Sequence, residues 1–258
     1  MDPEILAREL EVAWETRKPI PPFSERGLRG VEAAYRVQEA WNALRLARGD
    51  KVVGRKIGLT SKAVQAQLGV DQPDFGQLWQ SRFLGVGERA EVDHGLFLQP
   101  RVEGELAFLL GRRLKGPHVT PAEVLAATEA VAFALEIVDS RIADWRIRIE
   151  DTIADNASFG AFFVGPWEKS LLEEDLSTLG FVLYRNGEPL AQGMGAACLG
   201  HPARAVAWLA NALAAFGVAL EPGEIVMSGA WAPVQPAGRG DLFTLVGTGG
   251  RALSLRFV

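Results

Sequence analysis

Apolar residues recur at helical spacing through the first fifty positions. Ile5, Leu6, Leu10 and Trp14 share one stripe, Asp2 stands where a helix cap belongs, and Pro3 sits in the first turn. The run Pro19-Ile20-Pro21-Pro22 closes this helix, because proline lacks an amide donor and constrains the residue before it. A second helix is expected over about 31–48, with Val37, Trp41 and Leu44 at i, i+4 and i+7 and Gly49 beyond its end. From Lys51 onward the period shortens to that of strands. Segments 51–59, 102–110, 133–138, 159–164, 180–184, 225–228, 242–246 and 252–257 read as strands, and Asn186-Gly187 is a two-residue hairpin turn. Fewer helices punctuate this stretch. One opens at Thr60-Ser61 and covers 62–68. A second starts at the capping box Thr120-Pro121-Ala122-Glu123 and runs to about Ala130. A third spans 202–216, before Gly217.

Many short strands with few helices between them argue against a doubly wound parallel sheet. They predict an α+β fold with a mixed β-roll or sandwich core and helices to one side. The division expected is a helical N-terminal region over 1–50 and a β domain over 51–258. Composition narrows the class further. With 27 basic and 32 acidic side chains the chain carries a net charge of −5, so it has no bulk attraction for nucleic acid or an anionic membrane. Cys198 is the single cysteine, which excludes an intrachain disulfide and any Cys-rich metal site. No apolar run is long enough to span a bilayer, and Met1-Asp2-Pro3-Glu4 lacks the features of a signal peptide. A cytoplasmic enzyme is the expectation.

The strand Arg101-Val102-Glu103-Gly104-Glu105-Leu106-Ala107-Phe108 carries the most informative chemistry. Alternate residues of a strand share a face, so Glu103 and Glu105 project together and repel unless a cation or proton lies between them. Glu136 stands inside the apolar run 133–138, where a lone carboxylate is costly. Two arrangements satisfy this pattern. Either Glu103 and Glu105 lie on a wet sheet face with Glu136 paired to Arg141, or the three hold a hard divalent ion such as Mg²⁺ or Mn²⁺. Spacing alone does not choose between them.

In Gly54-Arg55-Lys56-Ile57-Gly58-Leu59-Thr60-Ser61 the glycines let backbone approach a ligand, and Lys56 is either an anion contact or a surface lysine on an edge strand. Asp71-Gln72-Pro73-Asp74-Phe75-Gly76 reads as a turn by composition. His201 precedes Pro202 as a helix-entry residue, while His94 and His118 lie in turn-like segments. None has a serine or cysteine partner, so a hydrolytic triad is unsupported. Trp14, Trp41, Trp145 and Trp208 are expected in the core.

These blocks, together with Leu68-Gly69-Val70, Gln99-Pro100, Glu136-Ile137-Val138-Asp139-Ser140-Arg141, Asp155-Asn156-Ala157-Ser158 and Leu199-Gly200-His201-Pro202, resemble the 2-keto-4-pentenoate (2-hydroxypenta-2,4-dienoate) hydratase family of the fumarylacetoacetase superfamily. The resemblance runs in order from about Gly54 to the C-terminus. It implies a mixed β-roll core and addition of water to 2-hydroxypenta-2,4-dienoate, giving 4-hydroxy-2-oxopentanoate in aromatic meta-cleavage catabolism. It further implies Mg²⁺ or Mn²⁺ on Glu103, Glu105 and Glu136, and Lys56 and Asp74 as catalytic groups. Arg55, Gly58, Leu59, Ser158 and Ser228 are implied substrate contacts. A homo-oligomer is expected, with a possible complex with a sister decarboxylase or a downstream aldolase. The alternatives are 4-oxalocrotonate decarboxylase, whose pattern lacks the residues Arg55 and Asp74, and a non-catalytic scaffold subunit. Trp231, in Met227-Ser228-Gly229-Ala230-Trp231, is bulkier than the family pattern implies and bears on substrate chain length.

Overall fold

A computed structural model describes residues 1–61, 65 and 70–258. The helix expected over 62–68 lies outside the described residues. Two helices open the chain, α1 (Pro3–Thr16) and α2 (Val31–Ala47). Asp2 accepts the Glu4 amide at 2.9 Å as the cap, and α1 ends at Arg17 in a left-handed conformation, two residues ahead of Pro19. The inner stripe of α1 is Leu6, Leu10 and Trp14; Ile5, on the flank, is 55% exposed.

The strands form two mixed sheets. The larger contains β1 (Val52–Gly58), β2 (Asp74–Trp79), β3 (Phe83–Val86), β5 (Arg101–Leu110), β6 (Thr128–Val138), β7 (Phe159–Val164), β10 (Ile225–Met227) and β11 (Gln235–Pro236), in the order β2-β1-β10-β5-β6-β7-β3 with β11 beside β5. The smaller has the order β4-β13-β12-β8-β9, from β4 (Arg89–Val92), β8 (Gly180–Arg185), β9 (Glu188–Met194), β12 (Leu242–Gly247) and β13 (Arg251–Phe257). β1–β10, β3–β7 and β4–β13 pair in parallel, and the other pairs are antiparallel. This is the expected α+β class with a mixed roll-like core. Among the described residues, helices α3 (Pro121–Ala127), α4 (Ile149–Ala154) and α5 (Pro202–Leu213) follow along the chain.

Two expectations need correction. The helix begun by the Thr120 capping box stops at Ala127, and the alanine-rich continuation becomes the eleven-residue β6, where small side chains fit between neighbouring strands. Asp74 opens β2, opposite Gly58, instead of lying in a turn. Strands β3 and β4 and helix α4 are short elements that the sequence pattern does not mark.

The core explains which way the acids of β5 point. A side chain at Gly104 would lie 2.7 Å from the Phe181 ring and 2.8 Å from Leu245. The even-numbered face of β5 is therefore pressed onto the second sheet, which sends Glu103 and Glu105 to the opposite side. That side is also covered, and both acids are buried. On its outer edge the sheet meets the helices through Trp14, Trp41 and Trp79, whose rings pack edge-on at 5.0–5.9 Å. Gln38 of α2 donates to Phe75 O of β2 and Ile153 O of α4, at 2.9 and 2.8 Å. Among the described residues, no helix is long and apolar enough to cross a membrane.

Candidate active site

Antiparallel pairing of β5 with β6 sets Glu103 directly opposite Glu136, with Glu105 one step along the same face. Opposed side chains in such a pair stand ~5 Å apart at Cβ, a separation at which two bare carboxylates repel strongly. Lys56 enters from β1. That strand lies inside the sheet between β2 and β10, so the edge-strand alternative for Lys56 is excluded. Its ammonium is 2% exposed, 2.6 Å from Glu136 Oε1, and donates to Ala157 O at 2.8 Å. The wet-face alternative fails on the same grounds: Glu136 faces Lys56, whereas Arg141 is committed to Asp155 at 2.6 Å.

One lysine among four buried acids leaves negative charge uncompensated. Burial pushes the Asp74 carboxyl up to about 6, against the pull of Lys56. Burial and the facing Glu136 push Glu103 up to about 8. Burial and the same neighbour raise Glu105 well above the ordinary carboxylate range. Burial also works against the Lys56 ammonium, but Glu136, Glu103 and Asp74 outweigh it and hold Lys56 above the usual lysine value. Glu105 takes one donor, the Gly229 amide, on Oε2; its Oε1 and Asp74 Oδ1 are buried with none. An all-oxygen donor set with an orphaned carboxylate oxygen fits a hard divalent cation. Among the described residues no three acidic, histidine or cysteine side chains already close on one point as ligands. Glu136 faces the Lys56 ammonium at 2.6 Å.

A cavity of about 650 Å³ opens beside this cluster, lined by Lys56, Gly58, Leu59, Asp74, Glu103 and Ser158 among others. Glu105 and Glu136 lie outside its lining. Gly58 has a steric reason, because a Cβ there would come within 2.2 Å of Asp74 Oδ1. Leu59 turns with φ 57° at the cavity wall. Two expected contacts are not brought to the cavity. Arg55 neighbours Lys56 in a strand and so projects to the other face, where it pairs with Glu224 at 3.1 Å. Ser228 is fully buried, with its amide on Leu106 O and its hydroxyl unpartnered, and does not line the cavity.

The sequence does not mark Thr152 or Arg101 as site residues, whereas Trp231 was expected to bear on the pocket. Thr152 of α4 lines the cavity and bridges Asp74 Oδ2 and Ser158 Oγ, at 3.5 and 3.4 Å. At the mouth, the Arg101 guanidinium stacks over Trp145 at 4.3 Å, so Trp145 is a half-buried cavity residue and not core. Trp231 lines the cavity with its ring stacked on Phe181, centroids 5.8 Å apart. Trp208 is also half-buried, on a separate apolar depression of about 310 Å³ that includes Tyr35, Phe75 and Phe216. Trp14 and Trp41 are core as expected.

The least regular part of the site is the turn that follows α4. Asn156, Ala157 and Ser158 have φ of 54°, 51° and 53°, three successive non-glycine residues in the left-handed region. Ala157 and Ser158 each cost about 1–2 kcal/mol there, so the turn persists only because its surroundings fix it. Arg141 grips both ends, donating to Asp155 O and Phe159 O at 2.8 Å each, while its Nε binds the Asp155 carboxylate. The Asn156 carboxamide accepts from Gln77 N at 2.6 Å and donates to Gln77 O at 2.9 Å.

Residues 47–254 match the family described as fumarylacetoacetate (FAA) hydrolase C-terminal, and the chain belongs to that family. It is similar to the 2-hydroxyhexa-2,4-dienoate hydratase of Comamonas testosteroni, 48% identical over 88% of this chain and 86% of the relative. It is also 49% identical to the 2-hydroxypent-2,4-dienoate hydratase of Pseudomonas putida, over 83% of this chain and 96% of that one. Among solved structures, 4-oxalocrotonate decarboxylase from Pseudomonas putida G7, complexed with magnesium and adipate, superimposes with a TM-score of 0.94 at 35% identity. That match covers 99% of this chain and 97% of the other.

Proposed function

We propose that this chain is a divalent-metal-dependent hydratase that converts 2-hydroxypenta-2,4-dienoate to 4-hydroxy-2-oxopentanoate. The observation that carries the proposal is the juxtaposition, beside one cavity, of three buried carboxylates with a buried lysine and a proton-retaining aspartate. Its nearly 50% identity with dienoate hydratases supports the same reading. Glu103, Glu105 and Glu136 are the residues that would hold Mg²⁺ or Mn²⁺, with Glu136 released from Lys56. A cation there supplies Lewis-acid stabilisation of charge on the substrate's C2 oxygen.

The chain's own groups then manage protons. A group with its pKa near 6 holds its proton part of the time at neutral pH, so Asp74 suits proton delivery to C5 of the dienol. The C2 hydroxyl gives its proton to solvent water in the cavity, which later returns one at C3, as C5 gains one from Asp74, giving a 2-oxo-3-enoate, and the Lys56 ammonium offsets negative charge at the C2 end. Water then adds at C4: its hydroxyl bonds to carbon, its proton returns to Asp74, and C3 takes up the proton released from the C2 oxygen. Thr152 and Ser158 present hydroxyls beside Asp74, placed to orient that water. Residues 51–258 act as the catalytic unit, with 1–50 as a helical region and a homo-oligomer as the working form.

The test is direct. Protein mixed with freshly generated 2-hydroxypenta-2,4-dienoate should abolish the diene absorbance when Mg²⁺ or Mn²⁺ is present and leave it when a chelator is added. An untouched diene in metal-replete protein would refute the proposal. Release of CO₂ from a 2-oxo-enedioate, with no hydration of the dienoate, would establish the decarboxylase alternative.

A further inference from the structure

Three observations converge on the 156–158 turn. Its middle carbonyl, Ala157 O, is the only uncharged acceptor of the Lys56 ammonium among the described residues' hydrogen bonds. The turn rests against β2 so closely that a Cβ on Gly76 would fall 2.5 Å from Asn156 O. The Asn156 carboxamide, fully buried, satisfies both backbone groups of Gln77, three residues along the strand from Asp74. Asparagine is also the side chain best suited, after glycine, to a left-handed residue.

We infer that Asn156 is a positioning residue for Lys56. By clamping Gln77 it holds the turn left-handed, which aims Ala157 O at the ammonium and fixes the lysine between that carbonyl and Glu136. The same clamp ties the Lys56 acceptor to the strand that carries Asp74, so the charge-offsetting lysine and the proton-transferring aspartate keep one spacing. Nothing in Asn156 reaches the cavity, so it acts through its neighbours. The inference rests on the hydratase reading for Lys56, and the experiment separates the two.

Asn211 provides an internal control. Its carboxamide makes the same pair of bonds to Val119, at 2.7 and 3.0 Å, far in sequence from every residue of the site. Asn156→Ala and Asn211→Ala should lose comparable thermal stability. Asn156→Ala should also lower kcat roughly thirty- to hundredfold with KM within about threefold, as expected when a catalytic group is misplaced by a fraction of an ångström. Asn211→Ala should keep wild-type kcat. Asn156→Gly, which accepts the positive φ without strain but lacks the clamp, should lose kcat as Asn156→Ala does. It decides the matter if the alanine variant does not fold. Asn156→Asp, which keeps the acceptor for Gln77 N, should recover part of the loss. Faster hydrogen exchange at the Gln77 amide in the alanine and glycine variants would report loss of the clamp independently of turnover. Full kcat in Asn156→Gly, or a rise in KM alone, would overturn the inference. Absence of turnover in the wild type would instead refute the hydratase reading.

Discussion

Replacing Asp74 by asparagine should make the protein more stable and less active, and the gain should depend on pH. Asp74 is fully enclosed and its pKa rises from the ordinary 3.8 to about 6. The folded chain thus holds its proton more tightly than the unfolded one. Below pH 3.8 both states are protonated and the carboxyl imposes no cost. Between 3.8 and 6 the unfolded state ionises first and stability falls as pH rises. Above 6 the cost is complete, at about 3 kcal/mol for a shift of roughly two units. An asparagine of nearly the same shape never ionises. The stability difference between Asp74→Asn and wild type should therefore grow by about 3 kcal/mol between pH 3 and pH 7.5 and then level off. For a chain of this size that is about 6–12 °C in Tm. Urea unfolding of both proteins in chelator across this range measures it, because titrating groups remote from Asp74 cancel in the difference and its neighbours Lys56, Glu103 and Glu136 enter through their coupling to it. A difference that does not change with pH, or a variant less stable than wild type at pH 7.5, would refute the reasoning. Turnover by the variant should fall by a factor of about 10²–10⁴, the span expected for a lost general acid–base.

The remaining predictions follow the same geometry. Glu105→Gln removes a unit of ligand charge while keeping the Gly229 contact, so Mg²⁺ affinity measured by calorimetry should fall at least about tenfold; unchanged affinity would remove Glu105 from the ligand set. Arg141→Met leaves Asp155 buried without its partner and should cost about 3–5 kcal/mol in denaturant unfolding; a loss below 1 kcal/mol would show that other bonds hold the turn. Gly58→Ala would put a methyl group against Asp74 Oδ1 and should reduce kcat more than stability. Wild-type kcat in that variant would mean that Asp74 can move aside without consequence.

Local signals in the sequence were reliable where one short-range interaction decides the structure. The Asp2 and Thr120 caps and the Asn186-Gly187 hairpin all lie where the residues indicated. Errors arose where packing decided instead. Alanines after Thr120 suit a helix as well as a crowded strand, and pairing with β5 and β7 selects the strand. Asp-Phe-Gly after Pro73 has turn composition, yet pairing with β1 draws Asp74 into a buried sheet. The acids of β5 could be placed on their strand from the alternation, and Glu136 on β6 from the apolar run around it. Their burial could not, since it depends on coverage by segments distant in the chain. The Glu136–Arg141 alternative was reasonable at five residues' separation. It fails because Arg141 turns away after β6 to hold the 156–158 turn. That turn has no glycine to announce it, and Asn156 was the only hint in its composition.

The central claim is that Glu103, Glu105 and Glu136 bind one hard cation in common. Anomalous diffraction from crystals soaked in Mn²⁺ tests it most directly. The account predicts a single strong peak bonded to all three carboxylates, with Glu136 rotated off Lys56. A peak elsewhere, or none with Glu136 still against the lysine, would contradict it.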